Sequence, residues 1–153
     1  MSDYEFANVE HLKRDLAIEG ETGTELGLEG GITLIVLAAS DANPRWKARR
    51  EQIRAELNRL SNAKADGKRS RDYLAGIYAE TIVKGWHYTD ADGRRHAGPL
   101  DKAGNAIPFS RDACKAFLQV ADDAYSAVDA IIYDTKNFRG ARIEAAVERV
   151  GNS

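Results

Sequence analysis

Apolar positions change their period several times along the chain, and each change predicts an element. Leu26, Leu28, Ile32, Leu34 and Val36 sit in two runs separated by Glu29, Gly30 and Gly31. Apolar and β-branched residues flanking a Gly-Gly step predict a β-hairpin. The second run is apolar on both faces after Thr33, which asks for helices over that strand. From Pro44 the period becomes helical: Trp46, Ile53, Leu57 and Leu60 fall along one side, and Arg45, Lys47, Arg49, Arg50, Arg54 and Arg59 occupy most of the rest. Asn43 suits the N-cap of this helix, because its side chain accepts from a free backbone N–H. Pro44 fits the first helical position, where its missing donor costs nothing.

After a polar connector, "SNAKADGKRS", a second helix is expected over about 70–84. Leu74, Ile77, Tyr78, Thr81 and Ile82 recur at three and four, and Gly85 is the expected C-terminal stop. Residues 89–108 hold an internal echo: Asp90 and Gly93 return eleven positions later as Asp101 and Gly104. Each copy can make its own turn, giving a hairpin-like excursion. Two copies are too few for a stacked solenoid. Ser110 reads as another N-cap, with Cys114, Phe117, Leu118 and Ala121 on the apolar side of its helix. Tyr125, Val128, Ile131 and Ile132 continue the period past Asp122-Asp123, which is either a tight turn or a polar ring on one long helix. Asn137 is the expected cap of a last helix over 138–150. The expectation is a mainly α (α+β) fold of four or five helices with a small N-terminal β-hairpin. Residues 1–20 form a polar segment with a short helical pattern near 9–16, and 21–153 form one mostly helical domain with a turn-rich excursion at 87–109.

At 153 residues the chain fits one ordinary domain able to bury a sizeable core. A net charge of −2 argues against a protein whose main task is to coat nucleic acid or an anionic membrane. With Cys114 the only cysteine, an intrachain disulfide is impossible, and a reducing compartment is the simplest expectation. The opening "MSDYEFANVEH" carries acids and no apolar run, so no signal peptide is expected. The longest apolar run, 32–39, is far short of the roughly 20 residues that span a membrane. The expected location is the cytoplasm.

Candidate chemistry is sparse. His11, His87 and His96 lack a second close histidine or cysteine to complete a zinc set, and read as surface histidines. Cys114 sits on an apolar helix side, where a buried inert thiol is expected. "DADG" at 90–93 has the opening of a calcium loop, but its glycine comes early and Asp101 stands where a bidentate glutamate belongs. Gly30-Gly31 precedes a strand and not a helix, so it is no phosphate loop. The expectation is a non-enzyme with no cofactor and no metal. The Arg-rich helix 44–60 can serve as a solvated face, a docking face for an acidic partner or a phosphate-binding surface. Glu51 and Glu56 interrupt its charge, and no aromatic stacking pattern accompanies it, which disfavours nucleic acid.

The order of several short segments is more specific than any of them. "NPRW" opens the Arg-rich helix. "YAETIVKGW" leads to an aspartate-glycine turn, then "IPFS", two helical patterns, "NFR" and a terminal "VGN". Over roughly residues 25–152 this order resembles the tail assembly chaperones of long-tailed, siphovirus-like bacteriophages and prophages. One departure stands out: the duplicated segment adds about eleven residues between the turn and "IPFS", which leaves the role of this loop open.

The resemblance implies a non-catalytic task. Such chaperones hold the long tape measure protein in solution while tail tube subunits polymerise round it. A ribosomal frameshift often yields a longer minor form, and the chaperone is absent or scarce in the mature virion. The implied partners are the tape measure protein, the tail tube protein and further copies of this chain, without a membrane. Trp46, Trp86 and Tyr88 lie near element ends, where partial exposure is expected, and Trp and Tyr are enriched at binding hot spots. With the basic residues Arg49, Arg50 and Arg54 they form the candidate partner-binding set. Trp86 has a second reading, as the anchor that packs the loop's root onto the core. Two other classes compete with the chaperone. A virion structural protein (head–tail completion or minor tail) would stay in purified particles. A nucleic-acid-binding regulator using helix 44–60 would show a steep salt dependence.

Overall fold

The two runs around Gly30-Gly31 do form a hairpin. β1 (Thr24–Gly27) and β2 (Ile32–Val36) pair antiparallel with Leu26 opposite Leu34. The turn needs its glycines: Gly30 and Gly31 have φ of 91° and 92°, and a Cβ on Gly31 would collide with the Thr89 carbonyl. The structure, a computed structural model, describes residues 4–140 and 142–144, apart from the side chain of His11.

The hairpin is the centre of a larger sheet. Its five strands run in the order β4-β3-β2-β1-β5, with β3 (Val83–Thr89), β4 (Arg95–His96) and β5 (Ile143–Glu144) joining β1 and β2. β3 corrects the expected helix over 70–84. The helix α2 (Gly67–Thr81) starts earlier, on an Asp66 cap, and ends before Gly85. Gly85 is a strand residue opposite Ile35, and Trp86 lies opposite Leu34. "VKGWHY" is too short to show whether its period is two or 3.6, and pairing with β2 decides the outcome.

α1 (Pro44–Asn62) matches its prediction. The Asn43 side chain accepts from the Trp46 N–H and donates to the carbonyls of Ala38 and Thr81. Asn43 thus caps one helix and ties it to the strand exit and to the end of α2. Asp122-Asp123 proves to be a break. α3 (Arg111–Val120) and α4 (Asp122–Ile131) meet at Ala121, whose φ of −96° and ψ of 83° leave the helical region.

The expected last helix fails at its start. Thr135–Asn137 is a 3₁₀ turn capped by Asp134, the Asn137 amide donates to the Ile131 carbonyl, and Gly140 has φ 99°. Ile143 then pairs in parallel with Leu26. The remainder of the predicted 138–150 helix lies outside the described residues. Among the described residues the fold is therefore mainly α with four α-helices, one 3₁₀ turn at each end, a π-turn at Ile18–Thr22, and the sheet.

One sheet face, carrying Leu26, Leu34 and Trp86, packs on the helices in a core with Ile53, Tyr78, Leu118, Val128, Ile132 and Phe138. The helical cover expected over both faces of β2 is replaced in part by long side chains. On the opposite face Arg142 donates to the Thr33 hydroxyl, and Arg95 donates to Nδ1 of His87. Thr33 and His87 are buried beneath them.

Candidate partner-binding surface

The segments that carried the resemblance converge on the core. Trp46 is 6% exposed and packs against Tyr78 and Tyr133. Trp86 is 8% exposed, with edge-to-face contacts to Phe109 at 5.3 Å and Phe117 at 5.6 Å. Its indole N–H donates to the Ile107 carbonyl at 3.1 Å. Ser110, the last residue of "IPFS", caps α3 by accepting from the Ala113 N–H, and Phe138 of "NFR" is fully buried. Partial exposure of the two tryptophans, expected from their places near element ends, is corrected: both rings are interior, and Trp86 takes its other reading, as the anchor of the loop. Tyr88 is half-buried and stacks on His96 at 5.5 Å.

Trp86 is thus the root of the excursion. The two echoed turns are the same structure built twice. Asp90 accepts from the N–H groups of Asp92 and Arg94, and Asp101 accepts from those of Ala103 and Asn105. Gly93 and Gly104 take φ of 82° and 85° at matching positions. Gly98, between the copies, lies so close beneath the Trp86–Ile107 bond that a Cβ would collide with the Ile107 oxygen and the indole nitrogen.

The basic residues of α1 do not form one bare patch. Arg49 lies 3.4 Å from Glu80, Arg50 pairs with Asp41, and Arg54 stands 3.7 Å from Glu51. Arg50 and Arg54 remain largely exposed, while Arg49 turns toward α2. Against Trp46, in the first turn of α1, lies an aromatic residue that sequence reasoning missed. Tyr133 is 55% exposed, contacts Trp46 at 5.9 Å, and shares a hydroxyl hydrogen bond with Tyr78, which in turn donates to Asp129. Its only sequence signal was a place at the end of the α4 stripe, one residue past the last apolar position.

A groove of about 620 Å³ opens between the start of α1, the end of α2, β3 and the start of α3. Leu37, Val83 and Phe109 give it an apolar lining, and the charged residues Arg45, Lys84, Arg111 and Glu21 line it as well. Glu80, also in the lining, lies 3.4 Å from both Arg49 and Arg111, which offset its charge.

Two polar residues deep in the fold were also missed. Glu19 is fully buried, held by Arg14 and the Ser40 hydroxyl, and the Arg14 guanidinium keeps its carboxyl below the usual range. It pins the end of the N-terminal segment to the body. His87, expected at the surface, is interior, and burial lowers its pKa from the ordinary value. His96 is half-buried and bonded to Asp90 at 2.8 Å. Burial pushes the Cys114 thiol up to about 12, where it is no nucleophile at neutral pH. Among the described residues no three His, Cys, Asp or Glu side chains gather as a metal set, and no helix is long and apolar enough to cross a membrane.

The framework that Asn43, Trp46, Trp86, Ser110 and Phe138 hold together is that of a prophage protein. The chain belongs to the YdaY prophage protein family, whose model matches residues 41–152 and so covers all of those positions. No curated protein matches the chain. No solved structure matches it either.

Proposed function

We propose that this prophage protein is a tail assembly chaperone. It binds the tape measure protein and keeps it soluble in the host cytoplasm while tail tube protein assembles, and it is absent or scarce in the mature virion. It works by holding, without turnover of a small molecule and without a cofactor. The observation that carries the reading is the use made of the ordered segments. "NPRW", "KGW", "IPFS" and "NFR" each supply a cap or a buried ring to one core. The order that resembles the chaperones is thus the order of the residues that hold the fold together. Membership of a prophage family supports the setting.

The client surface follows from the same geometry. A holder needs apolar area it can present reversibly beside charge that steers. Tyr133 offers the exposed aromatic face, with Trp46 behind it, and Arg50 and Arg54 lie on the helix that Trp46 opens. Tyr88, stacked on His96 in the excursion, and Arg49, turned toward Glu80, serve as further contacts outside this face, and Trp86 acts from within by fixing the loop. Deleting the gene from an inducible prophage tests the proposal. The expected result is tailless particles, tape measure protein in the insoluble fraction, and rescue by the intact gene. High copy number of this chain in washed wild-type virions would favour a structural protein instead.

A further inference from the structure

Four of the large exposed apolar side chains lie on the N-terminal arm: Tyr4 (74% exposed), Phe6 (71%), Leu12 and Leu16. Tyr4 and Phe6 stack on each other at 6.3 Å, so the arm presents a two-ring knob to solvent. The sequence around the knob is acidic: residues 1–10 contain Asp3, Glu5 and Glu10 and no lysine or arginine. The arm's base is fixed by the pairing of Arg14 with the buried Glu19 and by the Asp15 carboxylate, which accepts from the Ile18 N–H. Glu10, Lys13, Arg14, Asp15 and Leu16 line a separate cleft with Arg139, and no described residue of 4–16 lines the cation-rimmed groove.

That groove is the complement of the arm. Its volume falls within the roughly 300–1,000 Å³ of pockets that take a drug-sized ligand, the scale of two aromatic side chains. Its lining is apolar in part. Arg45, Lys84 and Arg111, with Arg49 beside Glu80, outnumber the acids Glu21 and Glu80 by two, so the rim keeps a modest cationic excess to receive Glu5 and the acids beside it. We propose that the acidic aromatic arm around Tyr4 and Phe6 of one copy docks in the cation-rimmed groove of a second copy. The contact is heterologous, arm to groove, so each copy can receive one neighbour and reach another. Such a contact propagates into an open chain unless its rotation closes a ring. This gives the proposed chaperone a way to line a long client in many copies. The inference concerns the chain alone, so it can fail or stand without the client reading.

The test is sedimentation velocity of the full chain over a micromolar concentration series, at low and high salt. The expected result is concentration-dependent association that weakens with salt. The arm variant Tyr4→Ser/Phe6→Ser and the rim variant Arg45→Glu/Lys84→Glu should each raise the self-association Kd about 10-fold or more. Their melting temperatures should match the parent, because all four side chains are exposed. Mixed together, the two variants should regain one productive contact, since one keeps the groove and the other the arm, and should stop at a dimer. Three results would overturn the proposal: a monomeric parent throughout the series, variants that associate like the parent, or a mixture that stays monomeric.

Discussion

Replacing Trp86 with alanine removes the side chain on which the excursion at 87–109 is rooted. The ring is 8% exposed and lies in edge-to-face contact with Phe109 and Phe117. Deleting a buried ring of this size costs about 3–5 kcal/mol through lost transfer energy and the cavity left behind. The indole N–H adds to this. Without it the Ile107 carbonyl, 3.1 Å away, loses its donor, at about 1–2 kcal/mol of the total if water does not reach it. For a domain of this length 1 kcal/mol shifts the melting temperature by roughly 2–4 °C, so Trp86→Ala should lower it by on the order of 10 °C. Trp86→Phe keeps most of the packing and should lose about 1–2 kcal/mol, largely the hydrogen bond. Circular dichroism melts of the parent and both variants read these shifts, and urea titrations at 25 °C convert them to free energies. A midpoint for Trp86→Ala within experimental error of the parent would refute the anchoring role and return Trp86 to the partner surface.

Gly98→Ala should be destabilising although it only adds a methyl group, because the Cβ would collide with the Ile107 carbonyl and the Trp86 indole; in a double-mutant cycle Trp86→Ala should relieve only part of this cost, since the tighter clash is with the Ile107 backbone. Asn43→Ala should cost about 2–4 kcal/mol in a denaturant titration, since one buried amide caps α1 and serves two further carbonyls. Acid should weaken the fold in two stages. Burial lowers the pKa of His87, so the folded chain binds fewer protons there than the unfolded one, and this stability is lost as pH falls below the ordinary histidine value of 6.5. Glu19 is also lowered, so its contribution is present above the ordinary 4.5 and disappears as pH falls through its folded value. In His87→Gln the stage that sets in below pH 6.5 should be missing while the Glu19 stage below 4.5 remains, and a variant that keeps the parent's first stage would contradict the assignment.

What the sequence showed plainly was local. Asn43-Pro44 and Ser110 mark helix starts through groups within three residues, and the Gly30-Gly31 turn needs only its own backbone. The same holds for the echoed Asp–Gly turns, whose hydrogen bonds close within four residues. Long-range pairing was hidden. Val83–Thr89 becomes a strand because β2 lies beside it, and Ile143 pairs with a residue more than a hundred positions earlier. The burial of Trp46 was hidden as well, because a place near an element end says little about the neighbouring helix, whereas the anchor reading of Trp86 was legible in its place at the root of the turn-rich loop. Their interior position moves the exposed aromatic role to Tyr133. Glu19 gave no signal at all, since a lone glutamate in a polar segment reads as solvated until Arg14 and Ser40 are seen around it.

The central claim is tested most directly by co-expressing this chain with the tape measure protein of the same prophage and measuring how much of the latter stays in the supernatant after centrifugation. The account predicts that the tape measure protein moves from pellet to supernatant and co-purifies with this chain. It also predicts that Tyr133→Ser combined with Arg50→Glu and Arg54→Glu abolishes both effects while leaving the melting temperature of the chain within a few degrees. A tape measure protein equally soluble without this chain, or one that never co-purifies with it, would contradict the account.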